Sequence, residues 1–349
     1  MNRAGASLIL VFLSLSCLPA LPSRMEFVLG TLCSVNLYEA GTRAEYNAVF
    51  ARLREIQGIM AFTAASAGAE DREATDLDLI NLNAGLRPVV VPGELLDVLE
   101  QALYYAELSR GAFDPTIGPL VSLWGIGGEN PRVPGAAEIE KALDLVNWRD
   151  LVIDRTAGTA FLRRRGQALD LGAIAKGYAA DQAAALLNRR RNRRAIIDLG
   201  GNILALGKRP GQESWRIGVQ DPLEDRGNYL GILRVTNKSV VTSGVYERYF
   251  EEGGLRYHHI LSTGDGYPVQ NDLLSVTIVA DRSIDADALS TACFALGPER
   301  GLALVEALPN VEAVFVRRDR AVILSSRAPF TLTGEDYFLI STSSISNTR

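Results

Sequence analysis

The sequence predicts an α+β fold: a mainly antiparallel mixed sheet packed with helices in a single large domain. Three observations carry that expectation. Strand candidates come in adjacent pairs, at 151–154 with 159–163, 195–199 with 203–207, 214–220 with 230–236, and 311–316 with 320–324. Such pairing favours antiparallel neighbours, whereas a doubly wound sheet needs regular βαβ alternation. A few long stretches space their apolar residues at helical intervals. Finally, no internal repeat and no linker-like segment divides the 349 residues, 47% of them hydrophobic.

Taken in order, Arg3 precedes an uncharged, mostly apolar run from Ala4 to Leu15, then Ser16 and Cys17. That run is too short to span a bilayer and has the layout of a secretory signal. Its ending, Ser14-Leu15-Ser16-Cys17, resembles a bacterial lipobox, in which the cysteine becomes the lipidated first residue; a plain cleaved signal is the alternative. The expectation is an exported protein, lipid-anchored at Cys17 on the periplasmic side of the bacterial inner membrane. A strand at 32–38 follows, then a helix over 43–60 through Tyr46, Phe50, Leu53, Ile56 and Met60. Ala64–Ala74 is polar and reads as a loop. Leu95, Leu96, Leu99, Leu103 and Ala106 mark a helix over 93–109. Glycine and proline fill Arg110–Pro134, which is predicted to be irregular. Beyond the paired strands lie a strand at 274–280 and helices over 173–189, 285–295 and 298–307. The expected organisation is a signal over 1–17, a folded domain over 25–338 and a flexible polar tail over 339–349.

Charge narrows the function classes. With 36 Lys and Arg against 41 Asp and Glu, the net charge of −5 argues against general nucleic-acid affinity. Two arginine clusters, Arg163–Arg165 and Arg189–Arg194 (interrupted by Asn192), depart from that balance. They read as solvated surface with cations near a helix C-terminus, or as contacts for anionic lipid headgroups. Two histidines and no close cysteine pair leave no structural zinc site. Cys33 and Cys293 suit either an extracytoplasmic disulfide or buried free thiols.

Four segments carry chemistry. Asp170-Leu171-Gly172-Ala173-Ile174-Ala175-Lys176-Gly177-Tyr178 leads from a strand end into a helix expected to start near Ala173. Free N–H groups at that start favour an anion, Lys176 is placed to reach a phosphate oxygen, and Asp170 to accept from a ligand hydroxyl or ring N–H. Asp198-Leu199-Gly200-Gly201-Asn202 permits a tight turn but is no dinucleotide fingerprint. Thr242-Ser243-Gly244 precedes a hairpin-like stretch and the adjacent pair His258-His259. On a strand only one of the two histidines can readily face a pocket, and without a G-x-S-x-G elbow a base or ligand-positioning histidine fits better than a Ser/His hydrolase. Asp287 and Thr291 stand one helical turn apart with Ser290 beside that face, a hard-oxygen set suited to magnesium. An acidic helix start explains Asp285 more readily than Asp287.

In this order, these segments resemble the flavin transferase family known as ApbE, the FAD:protein FMN transferases. The likeness runs from about Gly30 to Gly301 and includes Leu29-Gly30-Thr31, Gly111-Ala112-Phe113-Asp114-Pro115-Thr116-Ile117-Gly118-Pro119-Leu120, Trp124-Gly125, His258-His259-Ile260-Leu261 and Gly266-Tyr267-Pro268. The resemblance implies that Ala112, Phe113 and Asp114 line the flavin nucleotide with Leu29, Asp170 and Lys176, and that His259 lies near the phosphates as the base. It places magnesium between the Ala173 carbonyl, Asp287 and Thr291, with Ser290 where some relatives carry another acid. Leu29 replaces a methionine common before Gly-Thr, and Phe62 or Thr63 falls where an aromatic residue often follows the first helix. The implied reaction moves FMN from FAD to a threonine or serine hydroxyl of an acceptor flavoprotein, releasing AMP. An FAD pyrophosphatase and a flavin-binding lipoprotein without catalysis are the rival readings.

Overall fold

The computed structural model describes residues 23–39, 41–62 and 74–340. The expected signal with Cys17, Thr63, all but the last residue of the expected loop Ala64–Ala74, and residues 341–349 of the expected tail lie outside the described residues, while residues 339 and 340 of that tail belong to a strand. β1 (Ser23–Val28) and β2 (Thr31–Leu37) form a hairpin whose turn residues, Leu29 and Gly30, have φ of +56° and +68°. Paired positive φ values match the strand twist, yet a leucine there is strained. A 2.6 Å bond from the Leu29 N–H to Gln57 Oε1 helps hold it. Gln57 lies on α1 (Arg43–Met60), which is opened by a capping box between Thr42 and Glu45 and buries Tyr46, Phe50, Leu53, Ile56 and Met60 as its spacing requires.

The next segments hold three short helices that the sequence does not predict and one, over 93–109, that it does. α2 (Asp76–Leu82) starts from a second capping box, Thr75 with Asp78. After β3 (Val89–Val90), α3 (Gly93–Leu108) packs Leu95, Leu96 and Leu99 into the core. The stretch expected to be irregular contains α4 (Gly118–Trp124). Pro119 occupies its first turn, where a missing N–H is harmless, and Gly125 ends it at φ +61°. The residues that argued against a helix are its start and stop. α5 (Ala136–Leu143) follows, and Leu120, Trp124 and Ile139 close a satellite core with Leu261.

The remaining elements are β4 (Leu151–Asp154), β5 (Thr159–Leu162), α6 (Ala175–Arg189), β6 (Ala195–Leu199), β7 (Asn202–Leu206), β8 (Trp215–Gln220), β9 (Tyr229–Val235) and β10 (Lys238–Gly244). They continue with β11 (Tyr249–Glu252), β12 (Leu255–His258), β13 (Leu273–Ala280), α7 (Ser283–Glu306), β14 (Glu312–Arg317), β15 (Ala321–Leu324), β16 (Phe330–Leu332) and β17 (Phe338–Ile340). Gly297 at φ +80° breaks α7 before Pro298, so the two predicted helices are arms of one broken helix.

One nine-stranded sheet, ordered β1-β2-β6-β7-β10-β13-β14-β15-β17, runs through the molecule. Every neighbouring pair is antiparallel except β15 with β17. Helices α1, α3, α6 and α7 contribute to the large core, whereas β8, β9 and β16 form a small sheet whose Trp215, Ile217 and Leu233 pack with Val279, Val314 and Val322 of the large one. With layers on both faces, all eight residues of β13 are buried. The α+β expectation therefore holds. Among the described residues, no helix is long and apolar enough to cross a membrane. Cys33 and Cys293 are buried free thiols, and burial pushes each up to about 12.

Candidate functional site

Close packing of α6 against α7 builds the centre of the site. A Cβ on Gly177 would stand 2.4 Å from the Ser283 carbonyl oxygen and 2.6 Å from Ile284 Cα, so only glycine lets the two helices meet here. The Gly177 N–H then donates to Asp287 Oδ2 at 2.9 Å, and Lys176 Nζ lies 3.4 Å from Asp287 Oδ1 and 2.8 Å from the Gly172 carbonyl oxygen. Asp287 is only 3% exposed, so this carboxylate is stabilised by a cation and a helix-start N–H in place of water. The sequence predicts a helix that begins near Ala173 with free N–H groups. Instead it begins at Ala175, and the N–H groups of Ile174 and Ala175 donate to the Leu171 carbonyl. The anion at this helix start is the protein's own Asp287.

Beside that carboxylate lies a cluster of hydroxyls. Ser243 Oγ, at the end of β10, is 2.8 Å from Ser290 Oγ and 3.2 Å from Thr291 Oγ1, and Ser290 Oγ donates to the Asp287 carbonyl. Ser243 thus bonds to α7 and not to a histidine, which removes the Ser/His arrangement. Among the described residues no three His, Cys, Asp or Glu side chains gather as a metal cluster. One carboxylate with neutral hydroxyl and carbonyl oxygens is the donor set present, and its chemistry fits a hard divalent cation that keeps waters and takes substrate oxygens.

The two histidines separate as strand alternation requires. His258 is buried, with Nδ1 accepting the Ile260 N–H and Nε2 donating to the Val269 carbonyl, so its tautomer is fixed. Burial pushes it down to about 4. His259, just beyond β12, is half-buried, and its Nδ1 lies 3.2 Å from the Arg248 carbonyl oxygen. With Nδ1–H donating there, Nε2 keeps a free lone pair. Loss of hydration, reinforced by the charges of Arg248 and Lys176, pushes His259 down to about 3. The Asp170 carboxyl is pushed up by burial, against the Gly172 N–H at 2.6 Å and the charges of Arg248 and Lys176. Arg248, which no sequence motif singles out, thus belongs to the same electrostatic neighbourhood. Its position beyond Ser243-Gly244, at the entry to β11, was the available signal.

Backbone bonds draw the other predicted segments together. The Asp170 N–H donates to the Pro115 carbonyl, Thr263 Oγ1 to the Gly111 carbonyl, and Trp124 Nε1 to the Gly266 carbonyl. Gly200 turns tightly against Thr31, whose Oγ1 would lie 2.2 Å from a Cβ on Gly200. Within the Ala112-Phe113-Asp114 block the side chains divide. Phe113, 4% exposed, packs in the main core, and the Asp114 oxygens accept from the Thr116 N–H and hydroxyl and from the Trp148 N–H. Both hold the loop in shape, and Ala112 is the half-buried one of the three. Leu29 sits in the strained hairpin turn, and Ala173 packs partly buried against the main core.

The fold and site together define an α+β protein in which a buried carboxylate with a hydroxyl cluster, and a histidine flanked by cations, lie at one end of the sheet. Comparison with known proteins agrees with that class. The profile of the ApbE family matches residues 29–315. A protein of Treponema pallidum (strain Nichols) named FAD:protein FMN transferase is 40% identical over 321 residues, covering 87% of this chain and 86% of its own. One of the same name from Klebsiella pneumoniae (strain 342) is 42% identical over 247 residues, covering 71% and 76%. The crystal structure of the ApbE protein of Thermotoga maritima superposes with a TM-score of 0.77 at 33% identity, over 87% of this chain and 97% of that one. The chain belongs to the ApbE family.

Proposed function

We propose that this protein is a magnesium-dependent FAD:protein FMN transferase, exported through its N-terminal signal and lipid-anchored at Cys17 on the periplasmic side of the bacterial inner membrane. The observation that carries the activity is the Asp287 carboxylate, held by Lys176 and the Gly177 N–H beside the hydroxyls of Ser243, Ser290 and Thr291. Relatives named FAD:protein FMN transferase share most of the chain, which supports the same substrate here. Asp287, Thr291 and the Ala173 carbonyl would hold the magnesium ion, with Ser290 adjacent. When bound, it supplies Lewis-acid neutralisation of pyrophosphate charge.

The chain's own groups do the rest. Lys176 can turn from Asp287 to a phosphate oxygen, adding positive potential where charge develops. His259 Nε2 takes the proton of an acceptor threonine or serine hydroxyl as its oxygen attacks the FMN-side phosphorus. The bond from that phosphorus to the AMP oxygen breaks, AMP leaves, and FMN stays on the acceptor as a phosphoester. Asp170 accepts from the flavin nucleotide, and Leu29 and the Ala112 loop border it.

The test is FAD with magnesium, with and without an acceptor peptide, assayed for AMP and for peptide-bound flavin. Asp287→Asn keeps the shape of the side chain and an acceptor for Gly177, and is expected to lower AMP release by roughly 100-fold or more. Wild type that leaves FAD intact under both conditions would sink the enzyme reading. AMP release that is equal with and without acceptor, and no labelled peptide, would make the protein a pyrophosphatase.

A further inference from the structure

We infer that the end of the sheet opposite the flavin site is a docking face for an anionic lipid surface. The strands give the geometry. β6 runs from the arginine-rich turn to the Gly200-Gly201 turn beside Thr31, and β10 runs from Lys238 to Ser243 in the hydroxyl cluster. α6 likewise leads from Lys176 and Gly177 to Arg189. Fifteen helical residues separate the two ends by about 22 Å, and five strand steps in β10 by about 17 Å. The arginine turn is therefore remote from the chemistry.

The charge at that remote end is uncompensated. Arg189, Arg190, Arg191 and Arg193 are all exposed, and none has an ion-pair partner among the described residues. The acids nearby are already committed. Glu39 pairs with Arg194, Glu213 with Lys208 and Asp281 with Lys238, and Asp181 accepts the Ser283 and Ile284 N–H groups of α7. An open groove of about 810 Å³ is lined by Glu39, Arg194, Lys208 and Asp281, and Arg193 is the unpaired arginine that reaches it.

A second observation fixes the occupant. Ser23 pairs with Asn36, Asn36 with Ile196, and the Tyr38 N–H donates to the Arg194 carbonyl. The chain thus enters the fold at the arginine end, and Cys17 lies six residues before Ser23, a reach of at most about 20 Å. Whatever membrane the N-terminal segment meets is presented to this face, with the flavin site turned away toward solvent and the acceptor. A net charge of −5 disfavours nucleic acid as the alternative polyanion.

The face is tested on the full chain carrying Cys17→Ser, so that no acyl chain contributes. The probes are sedimented vesicles of phosphatidylcholine alone or with 30% phosphatidylglycerol. Binding is expected only to the anionic vesicles and to weaken steeply as salt rises. Each arginine near such a surface is worth about fivefold in partitioning. Arg189→Gln/Arg190→Gln/Arg193→Gln should therefore bind roughly 100-fold more weakly, while the same three changed to lysine bind within about threefold of the starting protein. A thermal midpoint unchanged in the glutamine variant separates lost charge from lost fold, independently of any flavin assay. Equal binding to neutral vesicles, an undiminished glutamine variant, no binding at all, or tighter binding to duplex DNA at the same salt would each overturn the proposal.

Discussion

Replacing Gly177 by alanine tests whether the meeting of α6 and α7 builds the site. In an ordinary helix interior the change would stabilise by up to about 1 kcal/mol through propensity. Here the new Cβ would lie 2.4 Å from a backbone oxygen and 2.6 Å from a backbone carbon, neither of which can rotate aside. Restoring ordinary contact of about 3.4 Å or more requires the helices to separate by about 1 Å, a strain of about 1–3 kcal/mol. The same shift stretches the 2.9 Å Gly177–Asp287 bond to about 3.9 Å, beyond hydrogen-bonding range. Expected outcomes are a thermal midpoint lower by about 2–5 °C and AMP release from FAD slowed about 100-fold, as a misplacement of this size predicts. Gly58, exposed on α1 with nothing within 4 Å of an added Cβ, is the control, and Gly58→Ala should stabilise slightly. If Gly177→Ala is as stable and active as wild type, the close approach does not position Asp287 and the account of the site fails.

His259 supplies a pH prediction. Because hydration loss and neighbouring cations depress it, the free enzyme should keep the imidazole neutral well below 6.5, so the acid limb of kcat/KM lies far under that value. A limb centred near 6.5 would mean a solvated histidine remote from Arg248 and Lys176. His259→Ala should lower the rate by about 100-fold or more. Asp181 supplies a stability prediction. Burial raises it from 3.8 to about 6, so the folded state binds the extra proton and the Asp181 contribution to stability grows as pH falls through 6 toward 3.8. Asp181→Asn lacks that gain, and its thermal midpoint should fall relative to wild type across this window; parallel curves would refute the shift. His258, depressed from 6.5 to about 4, works the other way in both proteins, withdrawing up to about 3 kcal/mol as pH drops through the same range. Cys33 and Cys293, buried with thiols raised to about 12, should resist alkylation at pH 8 until the protein unfolds. Mass mapping that finds either labelled in native protein within minutes would contradict their burial.

Much of the fold is legible in the sequence. Period-2 and period-3.6 patterns located α1, α3, α6, both arms of α7 and most of ten strands, because such elements bury one face, whereas β13, buried on both, shows as an apolar run. α2, α4 and α5 escaped since each is seven or eight residues long, too short for a period to repeat, and is marked by terminal signals alone. β1, β3, β10, β11, β12, β16 and β17 were missed or seen only as a hairpin-like stretch, because β3, β16 and β17 have only two or three residues and the others mix polar and apolar residues without a clean alternation. The site divides in the same way. Asp287 and Thr291 one turn apart, Lys176 in the first turn of α6, and the His258-His259 pair are local facts, and the chain alone established them along with the family likeness. Only the tertiary structure decided that the helix start serves Asp287, that Ser243 completes the hydroxyl cluster, that Phe113 and Asp114 turn inward, and that Arg248 stands beside His259. Those outcomes rest largely on contacts between residues distant in sequence, from 11 positions for Arg248 and His259 to 111 for Lys176 and Asp287. Local periodicity specifies which face an element buries, whereas the partner it meets there is set by packing of the whole core.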